Sequence, residues 1–268
     1  MLNEIFGITK NPFGKEISKE DIFVSGSWKN ALGKIDMLIK YRGMGVITGE
    51  AGTGKSTLAR IATASLNQKA FRIAYLCDAT LSETEFLKTM AFSLGIEPPF
   101  GKGRVIRAIR ETLIDLNETQ RIHTIFVLDE VHLLKSSLLE QIRLLTNFYM
   151  DSRDIFTTIL ISQPYFLKKL SLNVNLPFKQ RISYFIKLES LSPQDTLPYL
   201  THRLKSAKVL HPVFSENLAN AIHQAAQGIP REINRIAFTA MTLASEQGQN
   251  QVSQDILAQA IEDMELNS

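Results

Sequence analysis

Apolar residues in the first two thirds of the chain alternate between short continuous runs and longer runs with a helical period. The short runs predict five β-strands, at Met44–Thr48, Phe71–Cys77, Thr124–Leu128, Thr157–Ile161 and Tyr184–Leu188. The amphipathic stretches between them predict helices. Buried strands that alternate with helices are typical of a parallel sheet covered on both faces. The predicted fold class is therefore α/β, with three layers and a mainly parallel sheet.

From Ser192 onward the pattern predicts helices alone. Ser192, Ser215 and Ser253 stand at N-cap positions, and Gly228-Ile229-Pro230 interrupts the chain before another helix. Four short helices without a strand indicate a small all-α lid. The predicted organisation is an N-terminal segment at 1–43, an α/β core at 44–190 and a helical lid at 191–268.

The N-terminal segment combines aromatic turn residues with a helical period from Trp28 to Lys40. Its apolar residues could form a wall for a nucleotide base, since a base needs an apolar slot. They could equally pack a helix onto the core, and the sequence leaves both interpretations open.

A glycine-rich motif, Gly49 to Ser56, joins the first strand to a helix and has the pattern G-x-x-x-x-G-K-S. Its glycines allow backbone N–H groups to face a polyphosphate at a helix N-terminus. Lys55 is expected on the β- and γ-phosphates, and Ser56 on magnesium. The predicted nucleotide-binding residues are Gly49, Glu50, Ala51, Gly52, Thr53, Gly54, Lys55, Ser56 and Thr57.

A pair of acidic residues, Asp129 and Glu130, follows the third apolar strand. Asp129 has the position of a carboxylate that holds magnesium, and Glu130 can polarise an attacking water. A helix cap or a solvated turn is the alternative interpretation. Together with the phosphate loop, the pair predicts an NTPase.

Composition sets few limits on function. With 44% hydrophobic and 21% charged residues the chain is an ordinary globular protein, and a net charge of +3 permits a DNA partner without requiring one.

The single cysteine, Cys77, excludes an intramolecular disulfide and is expected to be buried. The five histidines show no metal-ligand spacing and are expected to be surface or packing residues. Without a signal peptide or a long apolar run, a cytoplasmic location and no membrane partner are expected.

Further motifs occur in a characteristic order along nearly the whole chain. They are Phe6-Gly7 with Asn11-Pro12-Phe13, the phosphate loop, Leu128-Asp129-Glu130-Val131-His132-Leu133-Leu134, Arg143-Leu144-Leu145-Thr146-Asn147, Ile161-Ser162-Gln163-Pro164, Gln180-Arg181-Ile182 and Gly228-Ile229-Pro230-Arg231-Glu232-Ile233-Asn234. In these motifs the chain resembles AAA+ ATPases of the ExeA/general-secretion-A group, which includes transposon-associated ATPases of the TniB, MuB and TnsC types.

The resemblance implies ATP and Mg²⁺ as cofactors, hydrolysis of ATP to ADP and phosphate, and roles for three further residues. Gln163 would be the sensor-1 residue, with Ser162 as the alternative, although both could simply cap a helix. Arg181 would be an arginine finger that acts on a neighbouring subunit, or else a surface residue beside Lys179. Arg231 would be sensor 2. A finger supplied in trans implies a homo-oligomer, either a ring or a helical filament.

The resemblance also bears on the biological task. Secretion members continue into a membrane span and a peptidoglycan-binding domain, whereas this sequence ends at Ser268. We therefore expect a regulator of DNA transposition that oligomerises with ATP on double-stranded DNA and recruits or activates a transposase, together with a target-selection protein. Secretion-complex assembly or other protein remodelling without DNA is the alternative. A third possibility is a module in which ATP only switches the oligomeric state.

The predicted DNA contacts are four positive charges on one loop and the helix after it: Lys102, Arg104, Arg107 and Arg110. The three arginines recur every three residues, which suggests a shared helical face. A solvated helix face is the alternative, and Lys168-Lys169 is a weaker candidate. Because no helix-turn-helix or zinc-finger pattern occurs, non-specific contacts to phosphates are expected.

Overall fold

A computed structural model of the chain describes residues 2–78 and 80–265. The chain forms two compact units. The helical unit contains the residues up to Gly26, Glu50–Gly54 and the residues from Glu189 onward, and the α/β unit contains Ser27–Gly49 and Lys55–Leu188. The predicted N-terminal segment, 1–43, is thus divided between the two units.

The described residues form five strands and twelve α-helices. The strands are β1 (Gly43–Thr48), β2 (Phe71–Leu76), β3 (His123–Leu128), β4 (Phe156–Ser162) and β5 (Ile182–Lys187). The helices are α1 (Leu2–Phe6), α2 (Gly26–Tyr41), α3 (Lys55–Ala64), α4 (Glu83–Ser93), α5 (Lys102–Glu118), α6 (Ser136–Leu145), α7 (Phe166–Leu170), α8 (Leu176–Gln180), α9 (Pro193–Ser206), α10 (Glu216–Ala226), α11 (Pro230–Glu246) and α12 (Gln254–Glu265). Short 3-10 turns lie at Val131–Leu133, Tyr149–Asp151 and Asn173–Asn175.

The five strands form one parallel sheet in the order β2-β3-β4-β1-β5. This confirms the predicted three-layer α/β fold class. Because every strand points the same way, the carboxyl ends of β1, β3 and β4 meet at one edge of the sheet. The loops that carry Gly49, Asp129 and Gln163 all leave from that edge.

Both faces of the sheet are covered, as the continuous apolar strands predict. One face contributes Val46, Phe126 and Leu160 to a buried core with α4, α5, α6 and α8. On the other face α2 lies very close to β1, because a Cβ at Gly45 would overlap the Leu38 side chain. Glycine at this position therefore allows α2 to pack directly against the backbone of β1.

Two elements of the α/β unit differ from the sequence prediction. The apolar pattern that begins at Ser136 predicts a helix to about Tyr149, but helix α6 ends at Leu145. Phe148 already has an extended backbone, with φ −116° and ψ 146°, so the helix cannot continue to Tyr149. Helix α8, which was not predicted, has only five residues, too few for a periodic pattern to reveal it.

The helical unit contains α9–α12, the four helices that follow the last strand. Ser192 caps α9 by accepting the Asp195 N–H, and Ser215 caps α10 by accepting the Leu218 N–H. The core of this unit also includes Phe6, Ile8 and Phe13 from the N-terminal residues. These three residues are buried within the helical unit, and a role for the segment as a wall for the base stays a prediction.

The prediction that Cys77 is buried is wrong, because the residue is exposed. Strand β2 ends at Leu76, so Cys77 already lies in the loop beyond the sheet.

No cluster of three or more His, Cys, Asp or Glu side chains in the described part of the chain could hold a metal ion. Within residues 2–78 and 80–265, no helix has the length and apolar character needed to cross a membrane.

A buried guanidinium ties the N-terminal residues to the helical unit, and its loss should destabilise the protein. Arg203 is 4% exposed; its Nε donates to the Pro12 carbonyl at 2.7 Å and its Nη2 to the Gly14 carbonyl at 2.9 Å. Arg203→Met would leave both carbonyls without these donors, at an expected loss of about 2–3 kcal/mol in the free energy of unfolding. Denaturant titration would measure this loss. Lys205→Met, an exposed change on the same helix, is the control, and equal stability of the two variants would contradict the prediction.

Candidate nucleotide site

The loop between β1 and α3 has the backbone that its glycines predict. Gly52 and Gly54 have φ angles of 87° and 99°, a region that glycine adopts without strain. Helix α3 begins at Lys55, whose buried side chain donates from Nζ to the Gly49 carbonyl at 2.8 Å. Backbone N–H groups at such a helix N-terminus, beside a lysine, suit a phosphate chain.

Asp129, directly after β3, is a buried carboxylate that accepts three hydrogen bonds. The Ser56 hydroxyl donates to Oδ2 at 2.7 Å, and the Tyr75 hydroxyl donates to the same oxygen at 3.0 Å. The Glu130 N–H donates to Oδ1 at 2.8 Å. Burial, and next the neighbouring Asp129 carboxylate, raise the pKa of Tyr75, so its phenol remains protonated and able to donate. These bonds fix the Asp129 carboxylate beside the start of α3.

The donors at this point fit a magnesium ion. Magnesium prefers oxygen ligands and retains several waters, so it is bound through few protein groups. Ser56 supplies a hydroxyl oxygen and Asp129 a carboxylate oxygen, 2.7 Å apart. These two residues would hold the ion.

Glu130 has a left-handed backbone, with φ 54° and ψ 32°. A non-glycine residue in this region carries strain, which is common at functional sites. Its side chain is 46% exposed and accessible to solvent water, whereas Asp129 beside it is 6% exposed. Two adjacent carboxylates thus have different surroundings and suit different tasks, a buried ligand and an accessible base.

Gln163 follows β4 at the same edge of the sheet. Its backbone N–H donates to His132 Nδ1 at 3.5 Å. Ser162, the alternative sensor residue, is buried and donates its hydroxyl to the Gln163 carbonyl at 3.2 Å. The hydroxyl of Ser162 is therefore engaged by the backbone, which leaves the half-buried Gln163 as the better placed of the two.

Arg181 lies at the opposite edge of the sheet. It precedes Ile182, the β5 residue paired with Met44 at the start of β1, whereas Gly49 follows the other end of β1. At about 3.3 Å per residue, the five steps from Met44 to Gly49 span roughly 16 Å, which exceeds the reach of an arginine side chain. Arg181 instead forms an ion pair with Asp151.

Arg231 belongs to the helical unit and contacts part of the phosphate loop there. It is the second residue of α11, and its N–H donates to the Gly52 carbonyl at 3.3 Å. A Cβ at Gly52 would lie 2.8 Å from the Arg231 Cβ and 2.9 Å from Ile229 Cγ2. Only glycine therefore permits this close approach, and the Arg231 residue is exposed.

The four predicted DNA residues do not form one surface. Lys102 pairs with Glu83 at 2.6 Å. Arg110 lies 4.3 Å over the Phe148 ring and donates to the Leu144 and Asn147 carbonyls, so it joins α5 to the end of α6. With 3.6 residues per turn, each three-residue step falls short of a full turn by about 60°. Arg104 and Arg107 are exposed, whereas Arg110 is half-buried.

The weaker pair, Lys168-Lys169, is also divided. Lys168 is exposed, but Lys169 Nζ donates to the carbonyls of His132 and Leu134. Burial lowers the pKa of Lys169. Lys169 thus supports the turn after Asp129, and only Lys168 of the pair is exposed.

Sequence reasoning missed two residues of the site, Tyr75 and His132. Tyr75 is opposite Val127 in the β2–β3 register, near the strand end that carries Asp129. An aromatic residue with a polar tip at that place in the neighbouring strand is a usable signal. His132 was expected to be a packing or surface residue, yet its Nε2 is 3.3 Å from Glu130 Oε2.

The chain is similar to several known proteins. Residues 38–170 match a family model described as AAA domain. General secretion pathway protein A of Aeromonas hydrophila is 29% identical over 255 residues, which are 94% of this chain and 46% of that protein. The chain thus spans about half the length of this relative.

Solved structures with low sequence identity share the fold. Cdc6p of Pyrobaculum aerophilum has a TM-score of 0.71 at 17% identity, over 96% of this chain and 70% of that one. Aeropyrum pernix ORC1, in complex with DNA, has a TM-score of 0.72 at 17% identity, with the same coverages of 96% and 70%. The Thermotoga maritima RuvB branch migration motor has a TM-score of 0.63 at 14% identity, over 94% and 72%. The chain therefore has the AAA+ P-loop fold, with a match to the AAA domain family over residues 38–170 and similarity to General secretion pathway protein A.

Proposed function

We propose that this protein hydrolyses ATP to ADP and phosphate and oligomerises with ATP. The observation that carries the proposal is the hydrogen bond from Ser56 to Asp129, with the accessible Glu130 next in the chain. It joins the helix after the phosphate loop to the acidic pair after β3. The bond places the Ser56 hydroxyl and the Asp129 carboxylate close enough for both to contact one magnesium ion.

The roles of the residues follow from their positions. The loop from Gly49 to Thr57 binds the phosphates. When they are bound, Lys55 Nζ donates to phosphate oxygens and no longer to the Gly49 carbonyl. Glu130 accepts a proton from the attacking water, and Gln163 orients that water or the phosphate. Magnesium, when bound through Ser56 and Asp129, supplies positive charge that neutralises the phosphates. Arg231 reports the nucleotide state to the helical unit.

Arg181 acts on the ATP of another copy of the chain. The length of β1 separates it from the phosphate loop of its own subunit, and this distance supports a role in trans. A trans contact joins two different surfaces, so it repeats around a ring or along a filament. Arg181 leaves Asp151 when it meets the neighbouring phosphate.

For the biological task, we propose regulation of DNA transposition in the cytoplasm. In this task the oligomer assembles on double-stranded DNA and recruits or activates a transposase, with a target-selection protein as a further partner. The motif resemblance to transposon-associated ATPases and the exposed Arg104 and Arg107 favour it. A related fold, that of Aeropyrum pernix ORC1, occurs in complex with DNA.

A second candidate task is the assembly of a secretion complex, or other protein remodelling without DNA. The similarity to General secretion pathway protein A favours it. The two tasks make opposite predictions for DNA, because only the first requires ATP-dependent binding that weakens as salt rises.

Lys55→Ala should abolish ATP binding, since it removes the charge that meets the β- and γ-phosphates. Fluorescent ATP titration would measure this, with melting temperature as a check on folding. Lys69→Ala removes an exposed lysine near the end of the same crossover and is the matched control. Unchanged affinity in Lys55→Ala would refute the phosphate-loop assignment.

Arg181→Ala should preserve ATP binding but abolish assembly-dependent hydrolysis. Mixing it with Lys55→Ala subunits should restore part of the activity, because one variant contributes an intact nucleotide site and the other an intact arginine. Lys179→Ala, a change in the adjoining α8, is the control. Normal turnover by Arg181→Ala alone would exclude a role in trans.

Arg104→Glu with Arg107→Glu should weaken ATP-dependent binding to double-stranded DNA. Loss of two phosphate contacts should also reduce the slope of log affinity against log salt by about 2. Fluorescence anisotropy at several salt concentrations measures both quantities. Lys205→Glu with Lys208→Glu makes the same charge change on exposed residues elsewhere. If both pairs affect binding equally, α5 has no specific role in it.

A further inference from the structure

His132 is a buried histidine beside the accessible carboxylate of the site. Its side chain is 3% exposed, and its Nε2 is 3.3 Å from Glu130 Oε2. The other ring nitrogen, Nδ1, is 3.5 Å from the Gln163 backbone nitrogen and accepts that N–H. The His132 ring therefore connects Glu130, which follows Asp129, with Gln163, which follows β4.

The two contacts determine where the proton of the ring lies. A backbone amide can only donate, so Nδ1 must be the acceptor and the proton is on Nε2. Nε2–H then donates to the Glu130 carboxylate. Burial lowers the pKa of His132, which favours the neutral ring that this arrangement requires.

Several neighbours prevent the ring from moving away. The Tyr165 ring packs edge-on against it, with centroids 4.9 Å apart. Lys169 donates to the carbonyls of His132 and Leu134, which fixes the short turn at Val131–Leu133. The left-handed backbone of Glu130 directs the chain into that turn. A fixed donor beside a side chain that is 46% exposed restricts the orientations of that side chain.

We propose that His132 is a positioning residue for hydrolysis, which holds the Glu130 carboxylate through Nε2 and ties its orientation to the Gln163 backbone through Nδ1. This inference rests on the proposed hydrolysis of ATP by Glu130. One carboxylate oxygen accepts from His132, and the other remains available for the proton of the attacking water. A displacement of the Gln163 backbone at the end of β4 would therefore change the orientation of the Glu130 carboxylate through the His132 ring.

Two substitutions separate the contacts of His132. Asparagine places its amide at the level of Nδ1, so His132→Asn keeps an acceptor for the Gln163 N–H but cannot reach Glu130. Glutamine places its amide at the level of Nε2, so His132→Gln keeps a donor for Glu130. We expect His132→Asn to lower kcat about 10-fold or more, within the range typical of supporting residues, with little change in KM for ATP. We expect His132→Gln to retain most of the wild-type rate.

Phosphate release at saturating ATP, titration with a fluorescent ATP analogue and melting temperature should be measured for both variants. If the variants lose activity together, in proportion to a loss of stability, the ring has only a packing role and the proposal is overturned. Wild-type kcat in His132→Asn overturns it as well.

A second background tests whether His132 acts through Glu130. Glu130→Asp shortens the side chain by one methylene and takes the carboxylate out of reach of Nε2. Adding His132→Asn to Glu130→Asp should lower its residual rate no further, whereas a second loss of about 10-fold would show that His132 acts by another route.

Failure of this inference is distinguishable from failure of the proposed function. Glu130→Gln should bind ATP without hydrolysing it. If that variant hydrolyses ATP at the wild-type rate, the assignment of Glu130 is wrong, whatever His132 does. If Glu130→Gln is inactive while His132→Asn is as active as wild type, only the positioning role of His132 is overturned.

Discussion

The hydrogen bond from Ser56 to Asp129 is the interaction on which the site depends. It exists because β1 and β3 run parallel on either side of β4, so their carboxyl ends meet at one edge of the sheet. Reversing one strand would send its loop to the opposite edge and separate the two residues. The sheet order is therefore a condition for the chemistry, since it brings the start of α3 and the acidic pair within bonding distance.

The same topology separates Arg181 from the nucleotide site of its own subunit. The edge that gathers Ser56, Asp129 and Glu130 is separated by the length of β1 from the edge where Arg181 lies. In the proposed assembly, a neighbouring subunit therefore supplies Arg181 to each site. The proposed dependence of hydrolysis on assembly thus follows from the distance between the two edges of a parallel sheet. In the single subunit, Arg181 forms an ion pair with Asp151.

Much of the fold and half of the site could be predicted because the relevant signals are local. Glycines at 52 and 54, a lysine and a serine define the phosphate loop, and a continuous apolar run places Asp129 at a strand end. Contacts between elements that are far apart in sequence have no local sequence pattern that would predict them. The Phe148 ring that packs against Arg110 lies 38 positions further along the chain, and the Gln163 N–H that donates to His132 lies 31 positions after that histidine. Cys77 was misjudged because β2 ends one residue earlier than its apolar pattern suggests.

The central claim is that ATP is hydrolysed by an assembly whose neighbouring subunits complete each site. Its most direct test is phosphate release per subunit as protein concentration rises, with particle mass measured in parallel, in the presence and absence of double-stranded DNA. If neighbouring subunits complete each site, the rate per subunit should be low for monomers and rise as large particles form, with DNA lowering the concentration required. A rate per subunit that is constant from dilute monomer to assembly would show that each subunit hydrolyses ATP alone.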